Sequence, residues 1–228
     1  MVKKAPRRTA QRILETALDL FNQHGEPNVS TALIAEQMGI SPGNLHYHYP
    51  SKVTLIDRLY ADYVAQMAEL LPASASVRDV EDAWFFLHSL FELTWRYRFF
   101  FRDLNDLLSR SRHLETQIQQ SLAAKVQAIH TLIGRLRDNG HLTIEARELD
   151  ALAHNALVLL NYWLNYEYTL NPRHALEPEQ AQHALLRGAR HTLQLIAPYL
   201  AQAQREHLLA LSQAYAETEP GEPASLQA

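Results

Sequence analysis

Residues 30–52 read STALIAEQMGISPGNLHYHYPSK, and this stretch holds two helix starts, one reversal and one stop. Ser30 or Thr31 can cap a short helix over about Thr31 to Met38, with Leu33, Ile34 and Met38 facing inward. Gly39 ends it, free to take the positive φ that reverses the chain. Ser41 then offers a second cap, and Pro42 sits at the first helical position, where its missing N–H is harmless. This second helix is brief and stops near Tyr49 and Pro50. Ala35 lies where the two helices cross, where anything larger than a methyl would push them apart, while Ile40 and Leu45 plug the angle between them. Two short helices joined by a tight turn containing Gly form a helix-turn-helix, whose second helix enters the major groove of DNA.

The exposed face of that second helix carries Pro42, Gly43, Asn44, His46, Tyr47 and His48. An ordinary solvated helix would show Glu, Lys and Ala there. Groups that donate hydrogen bonds without negative charge suit a phosphate-lined groove, and Gly43 permits close backbone approach. The alternatives are a chance surface pair at His46 and His48, or a zinc site. Residues two apart on a helix diverge and no third ligand is evident, so no metal is expected.

The longer run VSTALIAEQMGISPGNLHYHYPSKVTL, residues 29–55, resembles the N-terminal DNA-binding segment of TetR-family transcriptional regulators. Ile34-Ala35, Gly39-Ile40-Ser41, the block from Gly43 to Tyr49, and Ser51-Lys52 with Leu55 follow the family's order and spacing, and the likeness covers about residues 8 to 60. It implies an all-α, two-domain homodimer: an N-terminal three-helix helix-turn-helix domain, a connecting helix, and a larger C-terminal helical domain for ligand binding and dimerisation. It also implies that Thr31 and Tyr47 contact phosphate, that Lys52 clamps phosphate from the start of the next helix, and that Gly43, Asn44, His46 and His48 lie along the groove. Two departures stand out. His46 occupies a position where the family commonly has Tyr, which could alter base preference. Glu26-Pro27 replaces the usual aromatic after the first Gly, with the expectation of a looser or reshaped loop.

Outward from this segment, the 228-residue chain has only seven glycines, and apolar residues recur at three- and four-residue spacing almost throughout. That periodicity predicts helices over about 9–24, 31–38, 41–49, 51–72, from a Ser76/Asp79 capping box through the aromatic stretch VEDAWFFLHSLFELTWRYRFFF, then 99–109, 114–138, 144–170, 178–197 and 199–216. The segment YRFFFRDLNDLLSRS looks like one seen in some C-terminal domains of the family. The expected organisation is a basic arm 1–8, a DNA-binding domain 9–50, a connecting helix 51–72, a ligand-binding and dimerisation domain 73–217, and a disordered tail 218–228.

The formal net charge is −4, but Lys3, Lys4, Arg7, Arg8 and Arg12 precede the first acid, Glu15. This arm is either a DNA-holding element or a solvated tail. In the body, Trp84, His88, Phe91 and Trp95 share one helix face, with Asn155, Tyr162 and Tyr166 as residues that could face them. The set is either plain core or the lining of a ligand pocket, its polar atoms favouring an amphipathic or aromatic ligand. Ala181, Ala184, Gly188, Ala189 and Thr192 form a small-residue stripe, with Leu185 and Ile196 beside it. Such a stripe lets helices approach closely, across a dimer or within the body's own core, and the family resemblance implies that the helices over about 144–170 and 178–197 pair with those of a second copy.

Enzyme classes find little support. Cys is absent, no Ser sits in a strand-turn-helix elbow, and His88, His113, His130, His141 and His154 are scattered without metal-ligand spacing. No cofactor is implied. No run approaches the roughly 20 apolar residues a membrane helix needs, and no signal-peptide core follows the basic N-terminus, so no membrane partner and a cytoplasmic location are expected. The expected function is a sequence-specific transcriptional regulator, a ligand-responsive repressor binding a near-palindromic double-stranded DNA operator as a homodimer under control of a small-molecule effector. The alternative is a helical ligand-binding or adaptor protein that retains the head without relying on it.

Overall fold

A computed structural model of the protein describes residues 6–172 and 178–216. Lys3 and Lys4, the side chains of Arg7 and Ala181, and the tail 218–228 lie outside the described residues. Eleven α-helices occur among the described residues: α1 Pro6–His24, α2 Thr31–Gln37, α3 Pro42–His48, α4 Lys52–Leu70, α5 Val80–Arg96, α6 Arg98–Arg102, α7 Leu104–Arg110, α8 Arg112–Asp138, α9 Ala146–Leu170, α10 Pro178–Gln194 and α11 Gln202–Ala216. These residues hold no strand, only an isolated antiparallel bridge between Leu142 and Leu200. The all-α reading of the periodicity holds.

Three local expectations change. α4 ends at Leu70 rather than Pro72, and a 3₁₀ turn, Leu71–Ser76, follows it. Ser76 closes that turn, and α5 is capped by Asp79, whose Oδ1 accepts from the amides of Glu81 and Asp82. The single helix expected over 99–109 is two, broken at Asp103, whose backbone leaves helical geometry and whose side chain accepts from the Glu26 amide at 2.8 Å.

The chain divides into two compact units, Met1–Glu69 with Arg96–Ser121, and Leu70–Trp95 with Leu122–Ala228. The first therefore takes in a segment, 96–121, that the sequence reading assigned to the C-terminal body. The reason is aromatic burial. Phe99, Phe100 and Phe101 of α6 are all buried, with Phe99 5.1 Å from Phe21 of α1 and Phe100 5.1 Å from Tyr60 of α4, centroid to centroid. Tyr63 meets both Tyr97 and Phe101 edge-on. Each such ring brings roughly 1.5–3 kcal/mol by leaving water.

The second unit is organised around Trp84, Phe91, Leu132, Leu136, Leu160 and Leu193, drawn from α5, α8, α9 and α10. α10 lies close on α9: the Trp163 indole N–H donates to the Ala184 carbonyl at 2.7 Å, and Arg187 grips the buried Glu167 carboxylate with two hydrogen bonds, 2.9 and 2.8 Å. A Cβ at Gly188 would stand 2.8 Å from both Phe91 and Trp163. Glycine at 188 is thus what lets α10 reach α5 and α9. In the same unit Lys125 is 2% exposed and donates to Asn161 Oδ1 at 2.6 Å, and burial pushes its ammonium down to about 7.

Candidate nucleic-acid interface

The helix-turn-helix is built as the residue types demand. Ser30 caps α2, its Oγ accepting from the Leu33 amide at 3.1 Å. Gly39, at φ 64°, reverses the chain, with its amide on the Glu36 carbonyl and that of Ile40 on the Ala35 carbonyl, both at 3.0 Å. These bonds satisfy carbonyls that the helix end would otherwise leave open. Ser41 caps α3 through the Asn44 amide at 3.2 Å, with Pro42 at its first position. Ala35 and Leu45 are fully buried at the crossing. Tyr49, half-buried, donates its hydroxyl to the Ala10 carbonyl of α1 at 3.4 Å, and desolvation raises its pKa.

What remains outward is the face expected from the sequence. Pro42, Gly43, Asn44, His46 and Tyr47 are exposed, Tyr47 by 80%, and His48 and Thr31 are half-buried. Tyr47 packs edge-on to His48, ring centroids 5.2 Å apart. Gly43 has no positive φ, and a Cβ there would meet nothing nearer than Ser41 Oγ at 4.0 Å. The fold itself does not require glycine at 43, so the opening there is available to a partner. His46 Nδ1 lies 3.2 Å from the Pro50 carbonyl. A carbonyl only accepts, so in the neutral ring this contact puts the proton on Nδ1 and leaves Nε2 as an outward acceptor.

Lys52 is engaged within the chain. Its Nζ lies 2.8 Å from Glu26 Oε1 and donates to the Glu26 carbonyl at 2.6 Å. The expected phosphate clamp is therefore already an internal ion pair. The loop at Glu26-Pro27, expected to be looser or reshaped, is cross-tied: Glu26 is 1% exposed, and its carboxylate also receives Arg110 of α7 at 2.6 Å. The sequence reading missed Glu26 and Arg110 as a pair, since 84 positions separate them.

Two other groupings come apart. Trp84 and Phe91 are core, Trp95 packs against that core, and His88 lies beside Glu92 on α5, their closest atoms 3.8 Å apart. Asn155, Tyr162 and Tyr166 instead lie exposed on the outer face of α9. A helix cannot turn one face both ways, so the seven residues do not line one pocket. Ala184, Leu185, Gly188, Ala189, Thr192 and Ile196 are all buried against the unit's own core. The described residues of the small-residue stripe serve close packing inside the body.

α9 presents a different outer face, with Val158, Tyr162, Tyr166 and Leu170 exposed at intervals of four. Leu159, Trp163 and His191 join Val158, Tyr162 and Tyr166 around an open cleft of about 310 Å³. Among the described residues no cluster of His, Asp or Glu could hold a metal ion, and no helix is long and apolar enough to cross a membrane.

Two family models match the chain. One, bacterial regulatory proteins of the tetR family, covers residues 13–59, and the other, the TetR bacterial transcriptional repressor, covers 62–208. A TetR-family transcriptional regulator from Marinobacter aquaeolei VT8 is 30% identical, with a TM-score of 0.77 over 91% of this chain and 98% of its own. A putative transcriptional regulator from Saccharomonospora viridis, in complex with choline, is 20% identical, with a TM-score of 0.64 over 83% and 96%. The complex of SmeT with triclosan, SmeT being the repressor of a Stenotrophomonas maltophilia multidrug efflux pump, is 19% identical, with a TM-score of 0.55 over 86% and 93%. These last two share the fold. No curated protein matches. One family model covers the head and the other most of the body, and a relative is similar over nearly its whole length: the chain belongs to the TetR family of bacterial transcriptional regulators.

Proposed function

We propose that this DNA-binding, ligand-responsive regulator acts as a cytoplasmic homodimer, setting two α3 helices about 34–36 Å apart in successive major grooves of a near-palindromic operator. The observation that carries this reading is the acid-free face of α3, held by caps at Ser30 and Ser41 and open at Gly43. Thr31 and Tyr47 serve phosphate. Asn44 and His46 read bases, with the outward Nε2 of His46 suited to an exocyclic amino group of adenine or cytosine. Lys52 contributes through Glu26 rather than as an independent clamp.

The second copy docks on the outer face of α9. Its apolar side chains at intervals of four on a 25-residue helix make a continuous stripe of the kind an intersubunit helix pair buries. The effector is a small molecule, a reading supported by the choline and triclosan complexes of proteins sharing the fold. Catalysis has no part in this reading.

The test is selection of bound fragments from random DNA, followed by salt titration of the selected fragment. Regulatory binding predicts affinity falling steeply with salt. It also predicts that Tyr47→Ala weakens all sequences alike, while His46→Ala changes the preferred base at one position of each half-site. Failure to enrich any sequence would favour the adaptor alternative.

A further inference from the structure

Glu26 has every polar function engaged, by Asp103, Lys52 and Arg110. Its amide donates to Asp103 Oδ2 at 2.8 Å, at the start of α7. Its carbonyl accepts from Lys52 Nζ at 2.6 Å, in the first turn of α4. One carboxylate oxygen faces Lys52 at 2.8 Å and the other receives Arg110 Nη2 at 2.6 Å, in the last turn of α7. The residue sits directly after Gly25, at φ 85°, and forms the 3₁₀ turn that leads from α1 towards α2.

From this geometry we infer that Glu26 is a positioning residue through which α7 sets the placement of the DNA-contacting elements, by way of Lys52 and the turn before α2. The inference rests on the DNA-binding reading. It adds a route that does not run along the length of α4.

Burial decides the strength of the link. A carboxylate taken out of water is tolerated only with its charge matched and its lone pairs filled, so Glu26 holds its partners or forces the turn to rearrange. Arg110 also pairs with Asp106, its neighbour one turn earlier on α7, and so travels with that helix. Asp103, at the other end of α7, holds the Glu26 amide. α7 therefore grips one residue of the head at two points, by charge-assisted bonds whose direction and length are restrictive. An apolar contact would tolerate sliding by an ångström or more; these bonds would not.

The adjoining end of α1 is tied to the same segment. Arg102 donates to the Phe21 carbonyl at 2.8 Å, Asn22 donates to the Arg96 carbonyl at 2.9 Å, and the Phe99 amide donates to Asn22 Oδ1 at 3.1 Å. A shift of α7 thus reaches the turn before α2 and the first turn of α4 together.

The test uses the full-length protein with the DNA fragment it selects and a random-sequence duplex. Arg110→Met should lower affinity for the selected fragment about tenfold. Binding to the random duplex and its salt slope should stay within about twofold, because Arg110 acts on placement and adds no phosphate contact. Arg110→Lys should restore most of the loss. Adding Arg110→Met to Glu26→Gln should cost nothing further, since both remove the same link. Equal losses on both duplexes, no loss at all, or additivity of the two changes would overturn the inference. If Arg110→Met does not fold, Arg110→Gln and Glu26→Gln carry the same comparison. A parent protein that binds no duplex would sink the DNA reading and this inference with it; a parent that binds, with Arg110→Met indistinguishable from it, sinks this inference alone.

Discussion

Gly188 and Glu26 both stand where the surrounding packing leaves no freedom, for opposite reasons. At 188 the constraint is volume. Phe91 and Trp163 leave no room for a methyl, and both rings are buried, so neither can swing out to make space. Gly188→Ala is therefore expected to destabilise by about 1–3 kcal/mol despite the better helix propensity of alanine, read as a lowered midpoint in urea with unchanged m-value. A more stable variant would mean that α10 can retreat from α5 without loss. At 26 the constraint is charge, and the departure from family pattern was visible in the sequence while its partner was not. Arg110 reaches Glu26 only once α6 and α7 have packed on α1 and α4 through the three phenylalanines. The caps at Ser30, Ser41 and Asp79 are local, each bonding an amide two or three positions on, and two of the three could be named without coordinates.

For the helices as elements, periodicity decided existence but not which side faces what. α9 has two apolar sides. Leu152, Ala156, Leu160 and Trp163 face the unit's core, whereas Val158, Tyr162, Tyr166 and Leu170 face outward. The sequence reading let the tyrosines face α5, and it named both this helix and α10 as dimerisation candidates, with the small-residue stripe on α10. α10 packs its small residues on α5 and α9, and among the described residues α9 keeps an apolar side exposed. The double change Tyr162→Asp and Tyr166→Asp is accordingly expected to yield a folded monomer. Sedimentation should show the mass halved while the far-ultraviolet helix signal is retained. Affinity for a two-half-site fragment should fall by a factor of 100 or more, as the second half-site contact is lost. A dimer that survives both aspartates would move the interface elsewhere. Neither aspartate opens a core cavity, because both tyrosines are about half exposed, at 48% and 49%.

Across the whole molecule, ionisable groups buried in the folded state set how stability responds to pH. The Lys125 ammonium titrates near 7 when folded and near its ordinary value of 10.5 when unfolded. Below pH 7 both states carry the proton and the burial penalty is felt in full. Between about 7 and 10 the unfolded chain holds a proton that the folded one has released, so stability rises with pH. Tyr60 and Tyr63 act in the opposite sense. Burial pushes the Tyr60 hydroxyl up to about 12 and Tyr63 further still, so above pH 10 the unfolded chain loses protons first and stability falls. Thermal midpoints should therefore climb from pH 7 towards 10 and drop beyond it. Lys125→Met should flatten the climb by an amount on the order of a few kcal/mol, while leaving the fall above pH 10 in place. A flat profile between 7 and 10 in the unchanged protein would show that the amine keeps its proton when buried.

The helical class, the helix-turn-helix and the outward face of α3 could be read from the chain because each depends on neighbours close in sequence: a Ser three residues before the amide it caps, a Gly at the reversal, a polar run with no acid. These are short-range interactions, and their spacing is their geometry. The assignment of 96–121 to the unit of the head, the capture of Lys52 and Arg110 by Glu26, the inward turn of the small-residue stripe and the exposure of Tyr162 and Tyr166 depend on pairs distant in sequence. An amphipathic helix with two apolar sides fits either way round, and a buried charge is known to be matched only when its partner from the far end of the unit arrives. Those choices are made by packing volume and desolvation, which have no period along the chain.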